Sequence, residues 1–388
     1  LHSPVEEENT SRVYVARCPD YEPQHVEAAL QESLQPFVGG PPLIQAGQRV
    51  ILKVNLLQGR LPEAGVTTHP AVVTAVARWV RHAGATPIIA DSPGGPFNVR
   101  TLRHVYDVTG MTAAAEASGA ELNYDVSTVQ VPCPEGRASK TLDASRAIAE
   151  ADAIISLPKL KTHGLTQFTG ATKNLFGTVP GLTKGVYHAR FPTVDRFSAM
   201  LIDILSHYRP VLTVMDAVVG MEGDGPSAGD LRTIGLLLTS TDGVALDVVA
   251  TSIVGMQPRN VPPIAAAVRR GHSTGRVEDV EVLGASVDSV RVAGFKRPST
   301  GGSHARMVPE WVPHWITDSL LASPQAGPEC IACGTCAVSC PVQAITIVNG
   351  RAHTDLKRCI RCYCCHELCP EDAVELHQPL LARLVNRV

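Results

Sequence analysis

The sequence predicts an α/β fold, with a mainly parallel sheet and helices on both faces, followed by a small cysteine-rich α+β domain. Three observations carry this reading. Short, continuous apolar runs alternate with helical stretches through roughly the first 260 residues. Nine of the eleven cysteines fall between residues 330 and 369. The length of 388 residues suits two domains. Residues 1–300 are therefore assigned to the α/β domain, 301–323 to a connector, 324–378 to the cysteine-rich domain and 379–388 to a tail.

Residues 49–55, Arg-Val-Ile-Leu-Lys-Val-Asn, read as a strand of the buried, parallel kind. Thr68-His69-Pro70 then opens a helix, with proline near the first position, where its missing N–H has no partner to lose. Val72, Val73, Val76, Trp79 and Val80 give that helix an apolar face, and Gly84 stops it. Strands at 87–90 and 153–157 follow, the second preceded by an alanine-rich helix. Further strands are expected at 211–215 and 234–238, the latter leading into a helix near 243–254. Residues 258–323, rich in Gly, Pro and Val, are less regular and should hold a few strands and the connector. There Trp311 and Trp315 are expected to be buried between the domains as aromatic anchors.

Composition excludes several classes. An apolar content of 44% with 18% charged residues rules out a disordered tail or a charged coiled coil. A net charge of −3 without a long Lys/Arg run argues against nucleic-acid binding. No apolar stretch approaches the ~20 residues of a membrane span. The start, Leu-His-Ser-Pro followed by three glutamates, does not read as a signal peptide.

Open parallel sheets bind ligands beyond the carboxyl ends of their strands, and polar residues gather at those points here. The first strand ends with Lys53 and Asn55, the second with Asp91 and the turn Ser92-Pro93-Gly94-Gly95-Pro96. The third runs into Lys159, Lys161 and His163, and the fourth into Asp216, Glu222 and Asp224. Lys173, Asn174 and His188 lie further on. Taken singly, each lysine is an ordinary solvated loop end. Together, Lys53, Lys159, Lys161 and Lys173 would repel one another in a concave site unless an anion compensates. No G-x-G-x-x-G or G-x4-G-K-[ST] fingerprint is present, and the glycine turn suits a plain turn as well as a phosphate cradle. Asp247, at the start of a helical stretch, reads as a complement to the helix dipole.

The cysteines form two runs, Cys330-x2-Cys333-x2-Cys336-x3-Cys340-Pro341 and Cys359-x2-Cys362-x2-Cys365-x3-Cys369-Pro370, repeating at 29 residues. This is the spacing of two-cluster bacterial ferredoxins, in which the fourth cysteine ligates the other cluster. Cys330, Cys333, Cys336 and Cys369 are assigned to one 4Fe–4S cluster, and Cys359, Cys362, Cys365 and Cys340 to a second. Structural zinc would use separated ligand pairs, and a disulfide scaffold would need a secretory setting. Cys364 is read as a packed, non-ligating thiol, and Cys18 and Cys133 as core residues. So many thiols point to a reducing cytoplasm.

The stretches Lys53-Val54-Asn55-Leu56-Leu57, Val66-Thr67-Thr68-His69-Pro70, Ala90-Asp91-Ser92-Pro93-Gly94-Gly95 and Lys159-Leu160-Lys161-Thr162-His163 carry a family resemblance. So do the runs 170–177 and 214–226, and Cys359-Ile360-Arg361-Cys362-Tyr363-Cys364-Cys365-His366. On these the sequence resembles an uncharacterised iron–sulfur family catalogued as the domain of unknown function 362, over roughly residues 45–377. The resemblance implies a cytoplasmic iron–sulfur protein with an α/β domain and implies no activity.

The leading expectation is an iron–sulfur reductase whose ferredoxin unit relays electrons from a redox partner protein or low-potential donor to a small anionic substrate or second cofactor. Lys53, Lys159, Lys161 and Lys173, with Asn55 and Asn174, would bind the anion. His163 and His188 would move protons, since only histidine titrates near neutrality unperturbed. Asp91, Asp216, Glu222 and Asp224 would bind substrate or a further metal, or act as acids. A non-catalytic electron carrier and a scaffold for metal-cofactor assembly are the alternatives. The cluster assignment predicts about eight iron and about eight labile sulfide per chain in anaerobic protein. Cys369→Ser should damage the cluster of Cys330, Cys333 and Cys336, whereas stoichiometric zinc would refute the assignment.

Overall fold

The computed structural model describes residues 10–300 and 321–379. The expected burial of Trp311 and Trp315 lies outside the described residues, as do most of the connector and the last nine residues. In chain order the strands of the larger part are β1 (Arg12–Arg17), β2 (Arg49–Lys53), β3 (Thr86–Ala90), β4 (Glu121–Leu122), β5 (Thr128–Pro132) and β6 (Thr141–Ser145). They continue as β7 (Ala153–Ser156), β8 (Lys159–His163), β9 (Gln167–Thr169), β10 (Leu212–Glu222), β11 (Asp230–Ser240) and β12 (Glu281–Gly284). Ten of them form one sheet in the order β12-β1-β11-β10-β7-β2-β3-β4, with β8 beside β10 and β9 beside β8. The sheet is mainly parallel; only the β1–β11, β10–β11 and β8–β9 pairs run antiparallel.

Burial on both faces explains the continuous apolar strands. Val50 and Leu52 of β2 pack with Val72, Val73 and Val76 of the helix Pro70–His82, while Ile51 packs with Ile88 and Ile154 on the opposite face. The helix begins as its sequence predicts: Pro70 takes the first turn and the His69 ring Nδ1 accepts the Ala71 N–H at 3.2 Å. Gly84, at φ 79°, follows its end. No helix among the described residues is long and apolar enough to cross a membrane.

Three local expectations are corrected. The alanine-rich helix before β7 is one turn, Arg146–Ala149. The expected short strands at 211–215 and 234–238 are parts, remote from the turn, of an antiparallel hairpin of two eleven-residue strands, because β10 is held extended to Glu222 by pairing with both β11 and β8. Lys159–His163, read as a polar strand exit, is itself a fully buried strand. Its charged side chains are tolerated inside only because each meets a partner, which no local pattern reveals.

Asp247 lies inside the helix Gly243–Ile253, where the cap is Asp242. Its carboxylate accepts the N–H groups of Ala171 and Thr172 at 2.7 and 2.9 Å, and burial raises its pKa to about 6. A Cβ on Gly170 would stand 2.1 Å from that carboxylate, so the approach requires glycine.

The cysteine-rich part pairs β13 (Ser323–Ala326) with β16 (Val374–His377), and β14 (Ile345–Val348) with β15 (Arg351–Thr354), both antiparallel. The 29-residue repeat is structural as well as sequential: the turns Thr335–Val338 and Cys364–Glu367 occupy matching positions, as do β14 and β16. Left-handed backbone recurs in register at Ala332 and Arg361, Gly334 and Tyr363, and Gln343 and Asp372. Tyr363 accepts this conformation while its ring is buried and its hydroxyl donates to the Ala322 carbonyl at 2.9 Å.

One buried carboxylate ties the β5–β6 loop to the core. Asp203 accepts the N–H groups of Arg137, Ala138 and Ser139, each at 2.8 Å, and pairs with Arg270 at 2.6 Å. Asp203→Ala leaves a buried guanidinium unpaired and should cost about 3–5 kcal/mol in chemical denaturation. Asp203→Asn, which keeps the acceptor oxygen, should cost less.

Candidate functional site

The carboxyl ends of β2, β3 and β8 converge, and the first consequence is two closed ion pairs. Lys53 Nζ lies 2.8 Å from Asp91 Oδ1, with both side chains buried. Asp91 also accepts the N–H groups of Leu56 and Ser92, at 2.7 and 2.8 Å. Gly177 lets this pair form, since a Cβ there would stand 2.1 Å from Asp91 Oδ1 and 2.5 Å from Lys53 Nζ. Lys159 Nζ lies 2.8 Å from Asp216 Oδ2 and donates to the Tyr21 hydroxyl at 2.6 Å. Tyr21 in turn donates to Asp216 Oδ1 and stacks on His69 with centroids 3.6 Å apart. Burial lowers the pKa of both lysines, and their carboxylate partners oppose the shift.

These pairs correct the expectation that four lysines await an external anion. Lys53 and Lys159 are neutralised within the protein, and neither they nor Asp216 lines the cavity described next. Glu222 and Asp224 do not line it either. Glu222 accepts the Lys296 N–H at 3.1 Å and Asp224 the Ser299 N–H at 2.7 Å, so both fasten the segment 296–299 to the end of β10. Among the described residues no three His, Cys, Asp or Glu side chains converge as ligands of a single metal ion.

The remaining polar groups surround a cavity of about 90 Å³. Lys161 donates to Asn55 Oδ1 at 2.9 Å and to the Val66 carbonyl at 2.6 Å, with no carboxylate in ion-pair range among the described residues. Burial, then Lys173 and Lys159, lower its pKa to about 7. Lys184 donates to the carbonyls of Ser92 and Val179, both at 2.6 Å, and burial also brings its pKa to about 7. Lys173 sits 5.8 Å from the centre of the Phe176 ring, and burial lowers its pKa against the pull of Glu367. Asn174 donates to the Lys53 carbonyl and to Ser156 Oγ, both at 3.0 Å, and receives Asn55 Nδ2 at 3.3 Å. The two amides thus position Lys161.

Both histidines face the cavity, but neither is the near-neutral proton carrier expected from its unperturbed pKa. His163 Nδ1 accepts the Leu165 N–H at 2.9 Å, so the ring proton resides on Nε2, 2.9 Å from Glu367 Oε1. Burial and Lys173 lower the His163 pKa to about 4 despite Glu367. His188 stacks on Phe197 at 4.3 Å, and burial takes its pKa to about 3. Burial would raise the Glu367 pKa, but His163 and Lys173 hold it well below the carboxylate range.

Sequence reasoning missed Lys184 and Glu367 as cavity residues. Lys184 and His188 share one face of the helix Thr183–Arg190 at a spacing of four, a readable signal. Glu367 carried none, lying inside the second cysteine run.

That run closes the cavity. Cys364, Glu367, Leu368 and Ser339 line it, while Arg60 pairs with Asp372 at 2.8 Å and His366 Nε2 meets the Asp224 carbonyl at 2.9 Å. Leu368 rests on Gly94, where a Cβ would stand 2.1 Å from Leu368 Cδ2. Beyond it lie two further cavities. Cys330, Cys333, Cys336 and Cys369 line one, and Cys340, Cys359, Cys362 and Cys365 line the other, together with Cys364. All these thiols are free. The N–H groups of Ala344 and Ala373 approach Cys340 Sγ and Cys369 Sγ at 3.2 Å in each half. Cys18 and Cys133 are buried, as expected of core residues.

Residues 50–252 match the family model described as Domain of unknown function (DUF362). The chain belongs to this family. The match ends before the cysteine runs. The chain is also 35% identical over 269 residues to a thylakoid-associated protein of Synechocystis sp., covering 67% of this chain and 79% of that one. Among solved structures it overlaps the lactate racemase apoprotein of Thermoanaerobacterium thermosaccharolyticum at TM-score 0.37 and 12% identity, over 62% of this chain. A protein from Thermotoga maritima overlaps at TM-score 0.35 and 10% identity, over 59%. In both cases the overlap spans 57% of the other chain.

The depressed pKa of Lys161 has a stability consequence. Its folded value of about 7 lies below the ordinary 10.5, so the unfolded chain holds more protons between these limits and stability rises with pH across that window. Below it, the buried ammonium costs several kcal/mol. Lys161→Met should therefore resist denaturant better than the parent at pH 6, with the difference shrinking toward pH 10.

Proposed function

We propose that this protein is an iron–sulfur oxidoreductase. Its cysteine-rich part is a two-cluster ferredoxin unit that delivers electrons to a small anionic substrate in the lysine-lined cavity. The supporting observation is a shared wall: Cys364 lines both that cavity and the cavity of Cys340, Cys359, Cys362 and Cys365. The linings hold Cys369 with the first run's three cysteines and Cys340 with the second run's three and Cys364, an arrangement that supports two clusters with crossed fourth ligands. Clusters bound there would supply electrons one at a time. The paired N–H contacts to Cys340 and Cys369 are of the kind that tunes such sites.

The chain's own residues then bind, hold and protonate. Lys173 and Lys184 hold the anionic group, and Lys161, kept in place by Asn55, presents its remaining N–H to the substrate. Lys161 and Lys184, with pKa values near 7, replace the histidines as proton donors. His163 Nε2 lies 2.9 Å from Glu367 Oε1, so the imidazole faces that carboxylate. Electrons enter from a redox partner protein at the outer set, where Cys333 is exposed and Ile331 is 63% exposed. A reducing, cytoplasmic compartment suits such an assembly.

The test is anaerobic. Dithionite-reduced full chain is mixed with a panel of anionic metabolites and cluster absorbance is followed. Lys161→Gln should slow substrate-dependent reoxidation at least about tenfold, one proton-transfer contribution or more, with the cluster signals unchanged. Equal rates in parent and variant for every reoxidising compound would favour an electron carrier instead.

A further inference from the structure

Among the described residues, the charges that line the cavity do not cancel. Asp91 is already matched by Lys53 at 2.8 Å, which leaves Lys161, Lys173 and Lys184 facing Glu367 as the only other lining carboxylate. Among the described residues, none of Lys161, Lys173 and Lys184 has a carboxylate within ion-pair range, although Lys161 is 1% exposed. When all three lysines are protonated, the state that a bound anion favours, the excess over Glu367 is two positive charges. The lysines also approach from different elements: Lys161 from β8, Lys173 from the turn Ala171–Asn174, and Lys184 from the helix Thr183–Arg190.

We propose that the cavity selects a compact dianion, either a short dicarboxylate or a doubly charged tetrahedral oxyanion. This rests on the reading of the cavity as the substrate site and specifies its ligand class. One negative charge would leave a buried ammonium uncompensated, and three would overfill the site while facing Glu367. Burial, and after it neighbouring lysines, depress the pKa values of Lys161 and Lys184, and a bound anion would offset both causes. The about 90 Å³ enclosed favours a molecule of a few non-hydrogen atoms over a nucleotide.

The experiment is calorimetric titration of the anaerobically prepared full chain at pH 7. The probes are malonate, its singly charged half-amide malonamate, neutral malonamide, and sulfate. Malonate or sulfate should bind at least about tenfold more tightly than malonamate, and malonamide should not bind. Whichever of malonate and sulfate binds more tightly identifies the dicarboxylate or the tetrahedral source. Glu367→Gln removes the opposing carboxylate and should tighten dianion binding several-fold. Lys184→Gln lowers the excess by one and should shift preference toward malonamate. Equal affinity for malonate and malonamate, or weaker dianion binding in Glu367→Gln, would overturn the proposal, as would no binding by any probe. Tight dianion binding together with no cluster reoxidation by any compound of the anionic metabolite panel would support the ligand class and refute the oxidoreductase reading, so the two failures are distinguishable.

Discussion

The rest of the architecture is organised around the removal of lysine ammonium groups from water. An ammonium in the interior costs several kcal/mol unless a counter-charge and hydrogen bonds meet it. Lys53, at the end of β2, and Lys159 and Lys161, within β8, are each 2% exposed or less. Asp91, Asp216, Tyr21 and the carbonyl of Val66 are placed to satisfy them. Gly177 exists in that role as well, because a methyl group there would displace the Lys53–Asp91 pair. Two of the lysines are closed off by protein carboxylates, and this closure sets the remaining cations apart as a binding surface.

The cysteine-rich part completes the enclosure. Without Glu367, Leu368 and Cys364 the lysine cavity would lie open to solvent on that side. The repeat gives each half the same left-handed turns and the same N–H approach to a cysteine sulfur. The second half differs by reaching inward: Tyr363 stands where the first half has Gly334, and its ring joins a core cluster of the α/β part. The second repeat thus supplies most of the seal, with Ser339 of the first also lining the cavity.

The histidines show how burial redirects chemistry. A residue type chosen for titrating near neutrality is held neutral at His163 and His188 by desolvation. The same desolvation moves Lys161 and Lys184 to about 7. Ordinary solution pKa values would assign the opposite roles to these residues.

The amino-acid sequence by itself determined whatever depends on short-range periodicity and spacing. The β2, β3 and β7 strands, the Pro70–His82 helix and the 29-residue cysteine repeat were all legible, since apolar runs, a proline–glycine frame and fixed intervals are local signals. Of the site, Asn55, Asp91, Lys161, His163, Lys173, Asn174 and His188 were readable as residues at or near strand ends. Only the tertiary structure decided which lysines were already paired. Lys53 and Asp91 lie 38 positions apart and Lys159 and Asp216 57 apart, and their pairing depends on strand order, not on pattern. It also decided that Lys159–His163 is a buried strand and that Glu367 enters the cavity. Partnership through space sets the cost of burying a charge, and a one-dimensional reading contains no such distances.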